Sequence, residues 1–451
     1  MKTKKTILIA LILLIGFSFV LTAQEKTLPS KVDEYLSVYD QMRLFSGSVL
    51  IAKGENVLFK KSYGYANPAF GISNSPETKF RIGSLTKGFT AIAILQLVDQ
   101  EKLHLDDPLS EFIPDYPHGD QIRLQNLLTH TSGIPNHTLF EDFSTSRRVY
   151  PFSPEQTINS FKYKKLDFTP SEQSAYSNSN YILLGFILEK VSGMSYENYI
   201  QQFILDPLKM KNTGFEHPER IIKQFATGTI IRNNELQNCL YRNMSNAHAS
   251  GALYSTVEDL FRLDQALYSN TLLSKQSNEL MLTPFKDSFT YGWGTANVFE
   301  HKMIGLAGEI DGFRANISRF VNDTLCIIIL SNLENSPMNR INRDLITITF
   351  GKNYEAPVLE KTIALEDSII KSYTGTYQLK EGFNFQIIAD NERLFCEPTG
   401  QTKLELLAVS ETEFMLTGVP AHIAFVKNND NTIEKLILKQ GGKEIPLLKI
   451  K

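Results

Sequence analysis

Cysteine is scarce: Cys239, Cys326 and Cys396 are the only three in 451 residues. Thiols this few and this scattered make neither a disulfide framework nor a zinc ribbon, and leave at most one bridge. No sign of charge is in excess, with 46 Lys+Arg against 49 Asp+Glu and a formal net charge of −3. Without a polybasic face, nucleic acid is not an expected partner. The eight histidines contain no HExxH pair. A GxxxxGK[ST] loop, a GxGxxG turn and a G-x-S-x-G elbow are also missing, which disfavours zinc hydrolases, nucleotide cofactors and α/β-hydrolases in turn. No metal and no cofactor is expected. What remains is globular composition, 42% hydrophobic and 21% charged, in a chain long enough to bury large cores without staples. At roughly 150 residues per domain, the length allows about three units.

The first 23 residues read as an address. Three lysines within Met1–Lys5 precede the apolar run from Thr6 to Leu21, and Leu21-Thr22-Ala23 offers small residues before Gln24. That is a secretory signal, with an uncleaved anchor as the alternative reading. No cysteine follows the run, so lipid attachment there is excluded. The mature chain is expected to begin near Gln24, to be periplasmic or secreted, and to have no later membrane span.

Residues 46–66 read as a hairpin turning at Lys53-Gly54-Glu55-Asn56. The stretch from Leu85 to Gln100 is a helix apolar around most of its circumference and therefore buried. Residues 179–205 form a helical pair broken at Ser192-Gly193. Strand signals return at Tyr291–Val298, Lys302–Leu306 and Thr324–Ser331, and 338–350 closes the domain as a helix. Strands, helices, then strands imply an α+β domain over 24–353, its sheet drawn from both ends. A linker is expected at 354–371. Short alternating strands through 372–451 indicate a small all-β barrel or sandwich.

The chemistry points to Ser84-Leu85-Thr86-Lys87, at the start of the buried helix. Positions i and i+3 share a helical face, so the Lys87 amine can reach the Ser84 hydroxyl. A buried lysine loses basicity readily and can then take a serine's proton. The helix start adds N–H groups suited to a developing oxyanion. S-x-x-K alone is weak: Ser368-Ile369-Ile370-Lys371 also matches, without an apolar helix behind it. A partner phenol and amide would come from Tyr-x-Asn, which also occurs at Tyr65, Tyr196, Tyr241 and Tyr268. Tyr176-Ser177-Asn178 stands out because it lies in a polar loop just before a helix.

These stretches, with Phe80–Lys87, Leu127-Leu128-Thr129-His130-Thr131-Ser132-Gly133, Asn180–Gly185 and Ser250–Thr256, together resemble the serine β-lactamase and penicillin-recognising hydrolases. The likeness is to the class C β-lactamase and D-Ala-D-Ala carboxypeptidase-like branch. It covers about 34–350 in family order. Tyr373-Thr374-Gly375-Thr376-Tyr377 is similar to the lipocalin-like barrel often appended to them. The fold implied is a β-lactamase/transpeptidase-like domain, antiparallel sheet plus helical subdomain, followed by the barrel. The resemblance makes Ser84 the acylated nucleophile, Lys87 its proton acceptor or helper, Tyr176 the proton shuttle to the leaving group, and Asn178 a ligand of the substrate amide.

Where the family has Lys-Thr-Gly or His-x-Gly on a cleft strand, this chain has Gly305-Leu306-Ala307-Gly308-Glu309-Ile310-Asp311-Gly312-Phe313. Leu306, Gly308 and Glu309 are the expected substrate-lining positions, but Leu306 replaces the basic residue. Lys302 shares its strand face at about 13 Å, too far to substitute. The family's Pro-Gly before the tyrosine loop reads Pro170-Ser171. An oxyanion hole from the backbone of Ser84 and Glu309 needs no side chain and is expected to survive these changes, while recognition of a free carboxylate lacks its expected basic partner. The expected function is therefore an exported serine hydrolase cleaving a small amide or ester through an acyl-enzyme. The substrate would be a D-amino-acid peptide, a β-lactam or an ester. The alternative is a catalytically weak cell-wall or peptide-binding member of the family. His130 reads as a structural residue, His248 as a possible cleft residue, Trp293 as core or cleft wall, and Glu309 with Asp311 as turn residues or an acidic pair facing substrate.

Overall fold

A computed structural model describes residues 26–451 except 233–234, 356, 358–361, 391, 402, 418 and 420. The expected export signal, 1–23, lies outside the described residues. Six strands form one antiparallel sheet: β1 (Gly47–Lys53), β2 (Asn56–Tyr63), β3 (Gly294–Val298), β4 (His301–Ile310), β5 (Phe313–Phe320) and β6 (Leu325–Ser331), in the order β3-β4-β5-β6-β1-β2. The N-terminal hairpin thus pairs with the strands from 294–331 through β1 and β6, the two-ended α+β sheet expected.

All seven residues of β6 are buried, because helices cover both faces of the sheet. Alternation sends Val49, Ile51, Ile327 and Ile329 to one side, against α1 (Leu28–Gln41) and the late helix Met338–Thr349. It sends Leu50, Ala52, Ile328 and Leu330 to the other, toward α2 (Thr86–Asp99) and α3 (Asn178–Ser192). A continuous β-branched run is what a strand covered on both faces requires. Every residue of α2 from Thr86 to Leu97 is buried. Gly88 lets it lie against Trp293, whose ring would stand 3.1 Å from an added Cβ.

Three strands of this sheet differ from the sequence reading. β3 starts only at Gly294: Tyr291 and Trp293 flank Gly292, a bend at φ +82° pressed onto α2. β4 runs on to Ile310, which brings Gly308 and Glu309 into the strand. β5 was not anticipated. Its Arg314, Asn316, Ser318 and Arg319 hide a strand that is buried at Phe313, Ala315 and Ile317.

The C-terminal unit is a closed barrel of eight antiparallel strands from Gly375–Lys380 to Lys443–Lys449, sealed where Tyr377 and Gln378 pair with Lys449 and Leu448. Eight strands leave an interior that side chains can fill; Tyr377, Phe385, Ile387, Phe414, Ile423, Phe425 and Leu436 occupy it. Within the span read as linker, Asp367–Ser372 is a helix whose Ile370 joins that core. The Tyr373 ring that follows stacks on Phe425 at 4.3 Å.

Candidate active site

The chain enters α2 through a tight 3-10 turn, Gly83–Leu85. Gly83 has φ +50°, and a Cβ there would lie 3.0 Å from the Glu309 backbone nitrogen. From the facing strand, a Cβ on Gly308 would lie 2.0 Å from the Ile82 carbonyl oxygen. Two glycines therefore allow β4 to touch the turn that carries Ser84, and they bring the backbones of Ser84 and Glu309 side by side.

The Lys87 amine lies 3.0 Å from Ser84 Oγ, 2.7 Å from Asn178 Oδ1 and 2.7 Å from the Ser250 carbonyl oxygen. The side chain is essentially fully buried, and burial lowers its pKa well below the ordinary lysine value. A neutral amine has two hydrogens and one lone pair. The two oxygens that can only accept, on Asn178 and Ser250, take the hydrogens and leave the lone pair for the Ser84 O–H.

Tyr176 Oη lies 2.5 Å from Ser84 Oγ and 3.3 Å from Asn178 Oδ1. Its ring is partly exposed, but burial of the oxygen end pushes the phenol up to about 12. It is a proton donor at neutral pH, whereas Lys87 is the group prepared to accept. The Lys87 nitrogen also sits 4.8 Å from the centre of the Tyr176 ring.

The loop bearing Tyr176 is held from below. His130 lies 4.7 Å from the Tyr176 ring and accepts the Ser177 N–H at Nδ1 over 3.2 Å. Burial, with the nearby Lys87 second, drives the His130 pKa down to about 3, so it stays neutral. His130 is thus a positioning residue. Ser132 donates to Asn180 Oδ1 at 2.7 Å. Ser171 holds a left-handed φ of +72°, where the family's glycine would rest freely, and its hydroxyl accepts from Asn126 Nδ2 at 2.9 Å. Asn178 Nδ2 donates to Asn136 Oδ1 and Thr138 Oγ1. Asn136 and Thr138 carry no motif that sequence reading could find, and Ser250, which opens one of the resembling stretches, acts through a backbone carbonyl that its residue type does not announce.

A cavity of about 130 Å³ opens beside Ser84, lined among others by Thr138, Asn178, Arg242, Glu309 and Ile310. Leu306 and Gly308 do not line it. An added Cβ on Gly308 would meet Leu85, and Leu306, two residues back on the same face, packs half-buried against the main core. Lys302 is exposed, with its amine 3.5 Å from the Leu282 carbonyl oxygen. Glu309 is exposed at the cavity mouth, 3.8 Å from Arg314. Asp311 does not join it toward substrate, because Arg148 and Arg242 both donate to the Asp311 carboxylate. His248 lies outside the cleft, against the Tyr196 ring and 3.5 Å from Glu189. At the second S-x-x-K match, Lys371 is exposed and pairs with Asp367.

A serine touching a buried amine and a phenol, at the start of a helix packed on an antiparallel sheet, defines a class of acyl-transfer site. The family model described as Beta-lactamase matches residues 32–349, and the chain belongs to this family of serine hydrolases. Penicillin-binding protein 4* of Bacillus subtilis (strain 168) is 30% identical over 429 residues, 89% of this chain and 94% of that protein. The Teichoic acid D-alanine hydrolase of Staphylococcus aureus (strain MRSA252) is 27% identical over 317 residues, 69% of this chain and 75% of its own. Among solved structures, the octameric penicillin-binding protein homologue from Pyrococcus abyssi superposes with a TM-score of 0.66 at 27% identity, covering 93% of this chain and 99% of that one. No helix among the described residues is long and apolar enough to cross a membrane.

Proposed function

We propose that this protein is an exported serine hydrolase that forms an acyl-enzyme on Ser84 and acts on small esters or amides whose leaving group lacks a carboxylate. Lys87 takes the Ser84 proton as Oγ attacks the carbonyl carbon. The oxyanion forms against the backbone N–H groups of Ser84 and Glu309. Tyr176 gives its proton to the leaving oxygen or nitrogen as the old bond breaks, and is recharged from Lys87. Water then attacks the acyl-enzyme by the same relay in reverse, releasing acid and free Ser84. Asn178 fixes the amine and lines the cavity beside Ser84.

The observation that carries this reading is the hydrogen-bond pattern around Lys87, which leaves a buried, weakly basic amine one lone pair and directs it at Ser84. The named relatives include a D-alanine hydrolase, which agrees with a small acyl group. The leucine at 306 favours a leaving group without a carboxylate and is also what supports the second reading, a cleft that binds without turnover. Labelling with a fluorophosphonate separates the two. Labelling is expected in the native protein and lost in Ser84→Ala; a native protein that never labels would leave only the binding reading.

A further inference from the structure

The cavity beside Ser84 includes Ile310 and Arg242 but neither Tyr176 nor Leu306. Tyr176 marks where the leaving group must stand, since its oxygen is the proton donor at Ser84. The cavity therefore lies on the opposite side of the scissile bond and receives the acyl part of the substrate. This assignment rests on the hydrolase reading above.

The charge in that cavity is unusual. Two guanidiniums, of Arg148 and Arg242, share the Asp311 carboxylate, and of these three residues Arg242 alone lines the cavity; the next acid, Glu334, is engaged by the Gly312 N–H. The Arg242 side chain is 16% exposed, and it donates to Asp311 through Nε, while its Cζ lies 5.0 Å over the Phe143 ring. A guanidinium fixed through Nε still presents its two terminal nitrogens in a planar fork. Asn246 locks the same wall, donating to the Arg147 and Tyr150 carbonyl oxygens. The opposing carboxylate, Glu309, is 71% exposed with Arg314 beside it. Its field is screened by water, so the less exposed Arg242 sets the sign of the pocket.

We propose that Arg242 determines acyl specificity, and that the enzyme prefers acyl groups ending in an anionic substituent such as a carboxylate or sulfonate. Charge recognition that the family places at the strand position, here Leu306, is moved across the cleft to Arg242, from the leaving-group side to the acyl side.

The test compares three para-nitrophenyl esters of matched acyl length: anionic sulfobutanoyl, cationic trimethylammoniobutanoyl, and a neutral tert-butyl-terminated analogue. In the native protein kcat/KM for the anionic ester is expected to exceed that for the neutral one by about tenfold or more, as a charge-assisted hydrogen bond allows. The cationic ester is expected to be the poorest. Arg242→Gln is expected to collapse the anion-to-neutral ratio toward one, and Arg242→Lys to retain part of it. Fluorophosphonate labelling of Ser84 shows that each variant is folded; should Arg242→Gln not label, the native ratios and Arg242→Lys still decide. Equal turnover of the three esters, a preference for the cation, or an anion preference that survives Arg242→Gln overturns the role of Arg242 while leaving the hydrolase intact. Failure of every ester together with absence of labelling overturns the hydrolase reading itself.

Discussion

The two walls of the cleft have been treated differently. On the helical wall the groups proposed for acyl transfer are in place and buttressed: Ser84 lies within hydrogen-bond reach of both Lys87 and Tyr176, with His130, Asn136 and Thr138 behind them. On the strand wall the backbone is kept and the side-chain chemistry is not. Gly308 still permits contact with the nucleophile turn, yet Leu306 has turned a recognition position into core packing. On the proposed mechanism chemistry and recognition are therefore separable: attack on a carbonyl needs the helical wall and one strand N–H, and the strand side chain serves only the choice of leaving group.

The steepest loss is expected where the helical wall is broken. Lys87→Met removes the proposed proton acceptor and leaves the Asn178 and Ser250 oxygens without their donor. Ester turnover should fall by about three orders of magnitude or more, in line with loss of a nucleophile's base. The native pH profile sharpens this. Because burial lowers the Lys87 pKa, the amine is neutral above that value and accepts the serine proton. Activity is expected to drop on the acid side as Lys87 gains a proton, and again only in strong alkali as Tyr176 ionises near 12. An unchanged acid limb in Lys87→Met, measured as kcat/KM against pH, would assign that limb to another group.

The helical wall was the more legible in sequence. An apolar run with S-x-x-K at its start is a helix with its chemistry attached, and one helical turn fixes the Ser84-to-Lys87 reach. Tyr176 could be chosen from five Tyr-x-Asn tripeptides only by its loop context; its approach to Ser84 is a long-range contact set by packing. The positioning set was illegible because backbone carbonyls and turn-forming asparagines carry no pattern: the Ser250 oxygen and Asn136 act through where the chain happens to pass. In the sheet, β5 escaped because Arg319, which reads as a solvent residue, is fully buried and paired with Asp264. In the barrel, the strand Leu404–Ala408 interrupts the alternation in a related way: Glu405 is buried while bonded to Arg393 through both oxygens. A paired buried charge erases the alternation on which strand recognition depends.

The strand wall's backbone role can be broken next. Gly308→Ala places a methyl 2.0 Å from the Ile82 carbonyl oxygen, a backbone atom that cannot rotate away, so β4 must retreat from the Ser84 turn. A displacement of the Glu309 N–H by even about 1 Å is expected to lower kcat by about a hundredfold. KM should change far less, because the oxyanion forms only after attack. A drop confined to KM, with kcat retained, would mean that Glu309 N–H is not part of the oxyanion site.

The smallest effect is expected from restoring the strand wall's lost side chain. Leu306→His supplies a cation two residues before Gly308, and a charge-assisted bond to a substrate carboxylate could raise benzylpenicillin acylation by about tenfold to a hundredfold. Burial trims that gain. Position 306 is half-buried against the core, so desolvation favours the neutral imidazole. The gain is therefore expected near the lower figure, and only at pH values below the usual histidine pKa of about 6.5, fading as pH rises and the imidazole loses its proton. Acylation is best read as the rate of Ser84 labelling by a fluorescent penicillin at pH 5.5 and at pH 8. An increase of the same size at both pH values would show that Leu306 had been blocking the cleft by its bulk and not by lacking a charge; no increase at either would place carboxylate exclusion elsewhere on the strand, with Glu309 the nearest group able to cause it.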